Sequence, residues 1–210
     1  MSRPLVTNLP KDVQHIRKRS RLSWRTILPM ALGLLASNTA GAAEPYSIVN
    51  HYTGMVVDVW QGQIANTHTV LWPDWGGPNQ RFDIVRVDPN NPHSDFQIKA
   101  RHAAKCLDVN GASGADGAIV QTFDCHGGPS QLWFAEFVTD PYVQCQPMTF
   151  CDNARIIVRA RHSGKCLDAH NPGPSLANRP KQGAILQQWR CHNNLNQFWD
   201  FNGGPPPVIN

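Results

Sequence analysis

Asp168, Gln187, Trp189 and Asn196 bring a carboxylate, two amides and a flat aromatic ring into one short stretch of chain. A carboxylate can accept from two adjacent hydroxyls, and each hydrogen bond to a charged group contributes about 1.5–3 kcal/mol before other costs. Amides both donate and accept, and an indole covers a patch of C–H groups. A sugar ring offers those features together, hydroxyls around its edge and C–H groups on one face, so the set points to carbohydrate binding. Partial counterparts occur twice more. Asp108, Gln121, Phe123 and Gln131 form one, and Asp58, Trp72, Asn79 and Gln80 the other. An aspartate beside a hairpin can equally cap a turn; its phase with amides and aromatics is what favours a ligand.

These residues fall in three copies of one unit. The fullest runs from Arg155 to Trp199, with Cys166-Leu167-Asp168, then Gln187-Gln188-Trp189-Arg190-Cys191, then Gln197-Phe198-Trp199. The three aspartates are 50 and 60 residues apart and the three Gln-x-aromatic closures 51 and 66 apart, which implies a repeat architecture. The copies span about 46–88, 95–139 and 155–203, within a domain of 44–204. Their apolar runs are short, rich in Val, Ile, Phe and Trp, and broken by Gly, Pro, Asn and Asp, which is strand and turn chemistry. No window sustains a helical period over three turns. Four strands per copy make about twelve, which close into a barrel and leave no exposed edge. Trp133, Trp199 and Phe82, in the closures, read as core.

Residues 1–43 have a basic region from Arg3 to Arg25, a ten-residue apolar run from Ile27 to Ala36 and a small-residue Ala40-Gly41-Ala42-Ala43. This is the tripartite form of a secretory signal, so the chain is expected to be secreted, extracellular or periplasmic, after its removal. The apolar run is too short for a permanent membrane span. The whole chain carries a formal charge of +4, yet 12 basic and 14 acidic residues follow residue 43, a balance of −2. No net basic footprint for nucleic acid is left. All six cysteines follow the leader, an even number that fits disulfides in an exported chain. Cys145 and Cys151 would close a small local loop. With no Cys-x-x-Cys, the histidines beside Cys125 and Cys191 read as surface residues rather than metal ligands, and no cofactor is expected. The Pro-rich end, 205–210, reads as a flexible tail.

With Cys-Leu-Asp, Gln-x-aromatic-x-Cys and Gln-x-Trp complete in two copies and partial in the first, the chain resembles the ricin B-type lectin family. The resemblance implies an all-β fold, a disulfide-bonded β-trefoil of three repeats around a pseudo-threefold axis. It also implies up to three shallow carbohydrate sites, often for galactose or N-acetylgalactosamine. By motif position Asp168 is the acceptor, Trp189 the stacking wall, Gln187 and Asn196 the amides, and Gln197 the residue that holds the loop. In the second copy Phe123 replaces Trp189 and Ser130 replaces Asn196, for a weaker site. In the first, Val70 stands at the amide position and binding is doubtful or altered. Cys106 with Cys125 and Cys166 with Cys191 bracket the Asp-to-aromatic loops. The first copy has Val56 and Asp74 at those places and should be held by packing alone.

The favoured reading is a lectin that binds glycans and is not an enzyme. An alternative is the cell-binding subunit of a multi-component bacterial toxin with a separate partner chain, motivated by Trp60, Trp72 and Trp75 in the copy whose sugar set is incomplete. The chain has no Gly-x-Ser-x-Gly, no His-Glu-x-x-His and no glycine-rich phosphate loop.

Overall fold

The computed structural model describes residues 44–141, 154–171 and 179–203. The expected leader 1–43, Cys145, Cys151, most of the loop after Asn171 and the expected tail lie outside the described residues.

Within them the short apolar runs form twelve strands and five single-turn 3₁₀ segments, with no α-helix among the described residues. The first four are β1 (Ser47–Asn50), β2 (Val56–Val59), β3 (Thr67–Trp72) and β4 (Phe82–Arg86). Next come β5 (Phe96–Ala100), β6 (Lys105–Val109), β7 (Ala118–Phe123) and β8 (Trp133–Thr139). The last are β9 (Ala154–Ala160), β10 (Cys166–Ala169), β11 (Leu186–Trp189) and β12 (Trp199–Asn202). In β5 the period of two is plain: Phe96, Ile98 and Ala100 are buried while Gln97 and Lys99 are half-buried.

Six of the strands close a ring. β1 pairs with β12, β12 with β9, β9 with β8, β8 with β5, and β5 with β4. Tyr46, just before β1, then exchanges both backbone hydrogen bonds with Phe82 at the start of β4, at 2.8 and 2.9 Å. The ring has no free edge to recruit another chain. The other six strands are hairpins, β2–β3, β6–β7 and β10–β11. They meet one another through β3 with β7, β7 with β11, and a bridge between Val70 and Ile185.

Phe82, Trp133 and Trp199 are completely buried, with Ile48, Ile98, Leu71, Leu107 and Leu167 in the same core. Two of these rings carry a polar atom into the interior. Trp133 Nε1 donates to the Leu107 carbonyl at 3.2 Å and Trp199 Nε1 to that of Leu167 at 3.0 Å, so neither indole N–H is unpaired. Phe82 brings no such donor. At the seam between β1 and β12, Gly203 has φ +114°, and a Cβ there would lie 2.2 Å from the Pro45 carbonyl oxygen, so only glycine fits.

Disulfides join Cys106 to Cys125 and Cys166 to Cys191, closing loops of 19 and 25 residues in the second and third copies. The first copy is not held by packing alone. Val56 is buried at the place of the first cysteine, but Asp74 at the place of the second forms an ion pair with Arg81 at 3.0 Å. With the Asp74 side chain 40% exposed, that pair is screened and contributes at most about 1 kcal/mol. The covalent links, by contrast, each restrict the unfolded chain by about 3 kcal/mol. Replacing either cysteine pair by alanines should therefore lower unfolding free energy in urea by about 3 kcal/mol, and Asp74→Ala by no more than about 1 kcal/mol. Equal losses would show that the ion pair does the work of a disulfide.

Candidate functional site

The hairpins set the site residues in register. Asp58 faces Val70, Asp108 faces Gln121 and Asp168 faces Gln187 across the respective strand pairs. Trp72, Phe123 and Trp189 stand opposite Val56, Cys106 and Cys166 at the open end of the same hairpins. Gly117, from the second copy, lies against the Trp189 ring and supports it.

Each aspartate is buried, at 5% exposure or less, so its carboxylate must find donors inside the protein. The 3₁₀ turns Pro78–Gln80, Pro129–Gln131 and Leu195–Gln197 supply them. In the third copy Gln187 Nε2 donates to Asp168 Oδ1 at 2.9 Å, and Asn196 and Gln197 each donate to Oδ2 at 2.8 Å. In the first, Asn79 donates to Asp58 Oδ1 at 2.9 Å and Gln80 to Oδ2 at 2.8 Å. In the second, Ser130 Oγ donates to Asp108 Oδ2 at 3.0 Å. Gln121 does not join it and donates to Asn110 instead, at 3.3 Å. Ser130 makes one bond where Asn79 and Asn196 make two, the second going to the carbonyls of Val59 and Ala169.

Gln80, Gln131 and Gln197 hold the adjoining loops. Their Nε2 groups donate to the carbonyls of Pro73, Asp124 and Arg190, and their Oε1 atoms accept from the backbone N–H of Trp75, His126 and His192. This places three residues over the carboxylates that sequence reasoning did not assign to the site. His126 Nε2 lies 3.3 Å from Asp108 and His192 Nε2 3.6 Å from Asp168. In the first copy the position is Trp75, whose indole lies over Gly77, where a Cβ would come within 2.2 Å of the ring. A constant offset of five residues before the closing glutamine is the sequence signal that marks all three.

The first copy also has a cavity of about 590 Å³, lined among others by Asp58, Trp60, Trp72, Trp75, Asn79 and His102. Trp60 stacks on His68 and meets Trp72 edge-on, whereas Trp75 is 62% exposed. His102 comes from the second copy. Its Nε2 faces the Gln63 carbonyl at 3.1 Å, tying down the loop after β2. Burial raises the Asp58 carboxyl above its ordinary value; Gln80, the Trp75 side chain and Asn79 pull it down by hydrogen bonding, and His102 does so electrostatically. Among the described residues no three His, Cys, Asp or Glu side chains gather as a metal site requires, and no helix is long and apolar enough to cross a membrane.

A closed all-β ring capped by hairpins, with a buried carboxylate, amides and an aromatic ring at the hairpin ends, is the architecture of a carbohydrate-binding β-trefoil. The chain belongs to the family of the ricin-type β-trefoil lectin domain, which matches residues 94–205, and residues 24–118 match the related ricin-type β-trefoil lectin domain-like family. It is similar to the designed threefold-symmetric protein ThreeFoil, at 27% identity and a TM-score of 0.59 over 75% of this chain and 96% of that one. It is also similar to an exo-β-1,3-galactanase from Clostridium thermocellum, at 26% identity and a TM-score of 0.60. That match covers 77% of this chain but only 30% of the enzyme. The Macrolepiota procera ricin B-like lectin, solved with lactose, shares the fold at 16% identity and a TM-score of 0.54, over 78% of this chain and 97% of that one.

The raised Asp58 value has a definite sign in stability. The folded chain takes up this proton at higher pH than the unfolded one, so the contribution of Asp58 to stability grows as pH falls through its folded value and levels off below about 3.8. A carboxyl-carbon NMR titration should place the Asp58 midpoint above 3.8; a midpoint at or below it would refute the assignment.

Proposed function

We propose that the chain is a secreted, non-catalytic lectin whose three copies, related by a pseudo-threefold axis, each present a shallow glycan site. The observation that carries this reading is the third-copy set: Asp168 oriented by Gln187, Asn196 and Gln197, with Trp189 beside it. Orientation by neutral amides keeps the carboxylate an acceptor, while the aromatic wall offers the sugar's C–H face a surface. The second site uses Asp108, Phe123 and Ser130, with Gln121 turned aside and Gln131 holding the loop; the first uses Asp58, Trp72 and Asn79.

Galactose-type ligands are favoured by the family resemblance, and the similar galactanase is named for a galactose polymer. Single sites of this kind bind near millimolar strength, about −4 kcal/mol. Useful affinity then comes from several sites engaging one glycan surface. The cell-binding toxin subunit draws on the aromatic cluster of the first copy. Because Trp60 and Trp72 line the cavity beside Asp58, the cluster is read as a ligand wall of this chain rather than a face for a partner chain.

A glycan-array screen of wild type beside Trp72→Ala, Phe123→Ala and Trp189→Ala tests this. These rings are half-buried or exposed, so their removal spares the buried carboxylates. Each should weaken binding at its own site roughly two- to tenfold, the worth of an aromatic contact. A folded wild type that binds no glycan would sink the lectin reading and turn attention to a partner chain.

A further inference from the structure

The three sites share one frame but differ in charge balance. Asp108 and Asp168 each face a histidine capable of carrying a positive charge, at 3.3 and 3.6 Å. Five residues before its own closing glutamine the first copy has Trp75, so that place holds a neutral indole. Val70, buried and apolar, also stands where Gln187 donates to Asp168. Among the described residues Asp58 has two amide donors, a hydrogen bond with the Trp75 side chain and the electrostatic pull of His102, but no ion pair, at 5% exposure, where Asp168 has three amide donors and His192.

A buried carboxylate with no directly paired cation is costly, and a cationic ligand would offset that cost. The walls of the cavity suit such a ligand. Trp60, Trp72 and Trp75 line it, and the face of an indole attracts an ammonium group. No lysine or arginine is among its lining residues, and His102 is the one other titratable group there, with Nε2 directed at the Gln63 carbonyl. About 590 Å³ holds a sugar with a substituent.

We propose that the first-copy cavity selects sugars bearing a free ammonium group, that is, amino sugars of de-N-acetylated glycans, with the ammonium at Asp58 and the ring against the indoles. This rests on the lectin reading and gives the first copy a ligand class of its own. N-acetylation removes the positive charge and two donor hydrogens at the same position, so it should abolish the advantage.

The test is an NMR titration at pH 7, above the ordinary histidine value and below that of an α-amine. The indole N–H signals of Trp60, Trp72 and Trp75 report the cavity and that of Trp189 the third copy. Methyl glycosides of galactosamine and glucosamine are compared with their N-acetyl forms and with methyl galactoside. At least one free amine should shift the cavity indoles with a Kd about tenfold lower than its N-acetyl form, equivalent to about 1.4 kcal/mol. Asp58→Asn should erase the preference. Trp75→His, at an exposed position, should reduce it by removing one indole face from the cavity, and further at pH 5.5, where the added imidazole carries a positive charge. Equal affinity for amine and acetamide, or an amine preference that shifts only Trp189 or survives both substitutions, would overturn the proposal while leaving the lectin reading in place. Cavity shifts with methylammonium but with no sugar would overturn the proposal and the lectin reading of the first copy together, leaving only a cation site there.

Discussion

The buried amide of the closing glutamine is the contact on which both fold and site rest. Gln80, Gln131 and Gln197 are fully buried, and each reaches from a 3₁₀ turn to the loop that follows the third strand of its copy. Its two ends pair with a backbone carbonyl and a backbone N–H of an exposed loop, and without them the buried amide itself would be left unpaired, at about 1–3 kcal/mol. The same contact fixes the residue that overhangs the aspartate. In the first and third copies its second N–H also reaches the carboxylate. Core and ligand surface are therefore parts of one hydrogen-bonded unit, and the site is preorganised by whatever keeps the barrel closed.

Given so constrained a frame, the copies diverge at a few positions that face outward. Asp168 is surrounded by donors, Asp108 retains a serine and a histidine, and Asp58 is left among amides and indoles. Neighbouring copies support one another's loops. His102 holds the loop of the first copy at Gln63 and His162 that of the second at Ser113, at 3.1 and 3.0 Å. Lys165 and Arg190 from the third copy both bind Asp116 of the second, and Lys165 foremost keeps that carboxyl below its ordinary value. No copy owns its site outright.

The repeat, the strand chemistry, the core aromatics and two cysteine pairs were readable in the sequence because each recurs at a fixed offset. What escaped was what repetition hides. His126 and His192 are the exposed residues that their places beside cysteines suggested, but no motif showed that the glutamine lock turns them toward Asp108 and Asp168. Trp75 occupies the same place, but Asp74 stands where the marker cysteine would have revealed it. Asp74 also pairs with Arg81, a contact that spacing within one motif could not show. Trp60 and Val70 lie inside the first copy, whereas His102 enters its cavity from the second; only the closed ring brings them together. The first copy has Val70 in place of the amide, as its sequence shows, and the cavity beside Asp58 is walled by indoles and His102.

Ring closure has one further consequence. The first strand of the ring pairs along its whole length with the last, Ser47 opposite Asn202 and Asn50 opposite Trp199. The two ends of the trefoil are therefore about 4.8 Å apart across the hydrogen-bonding direction. A short linker could join them, and new ends could be opened at the exposed turn between β4 and β5 around Asn90 without cutting a strand. Which copy counts as first is, to the folded barrel, an arbitrary point on a circle.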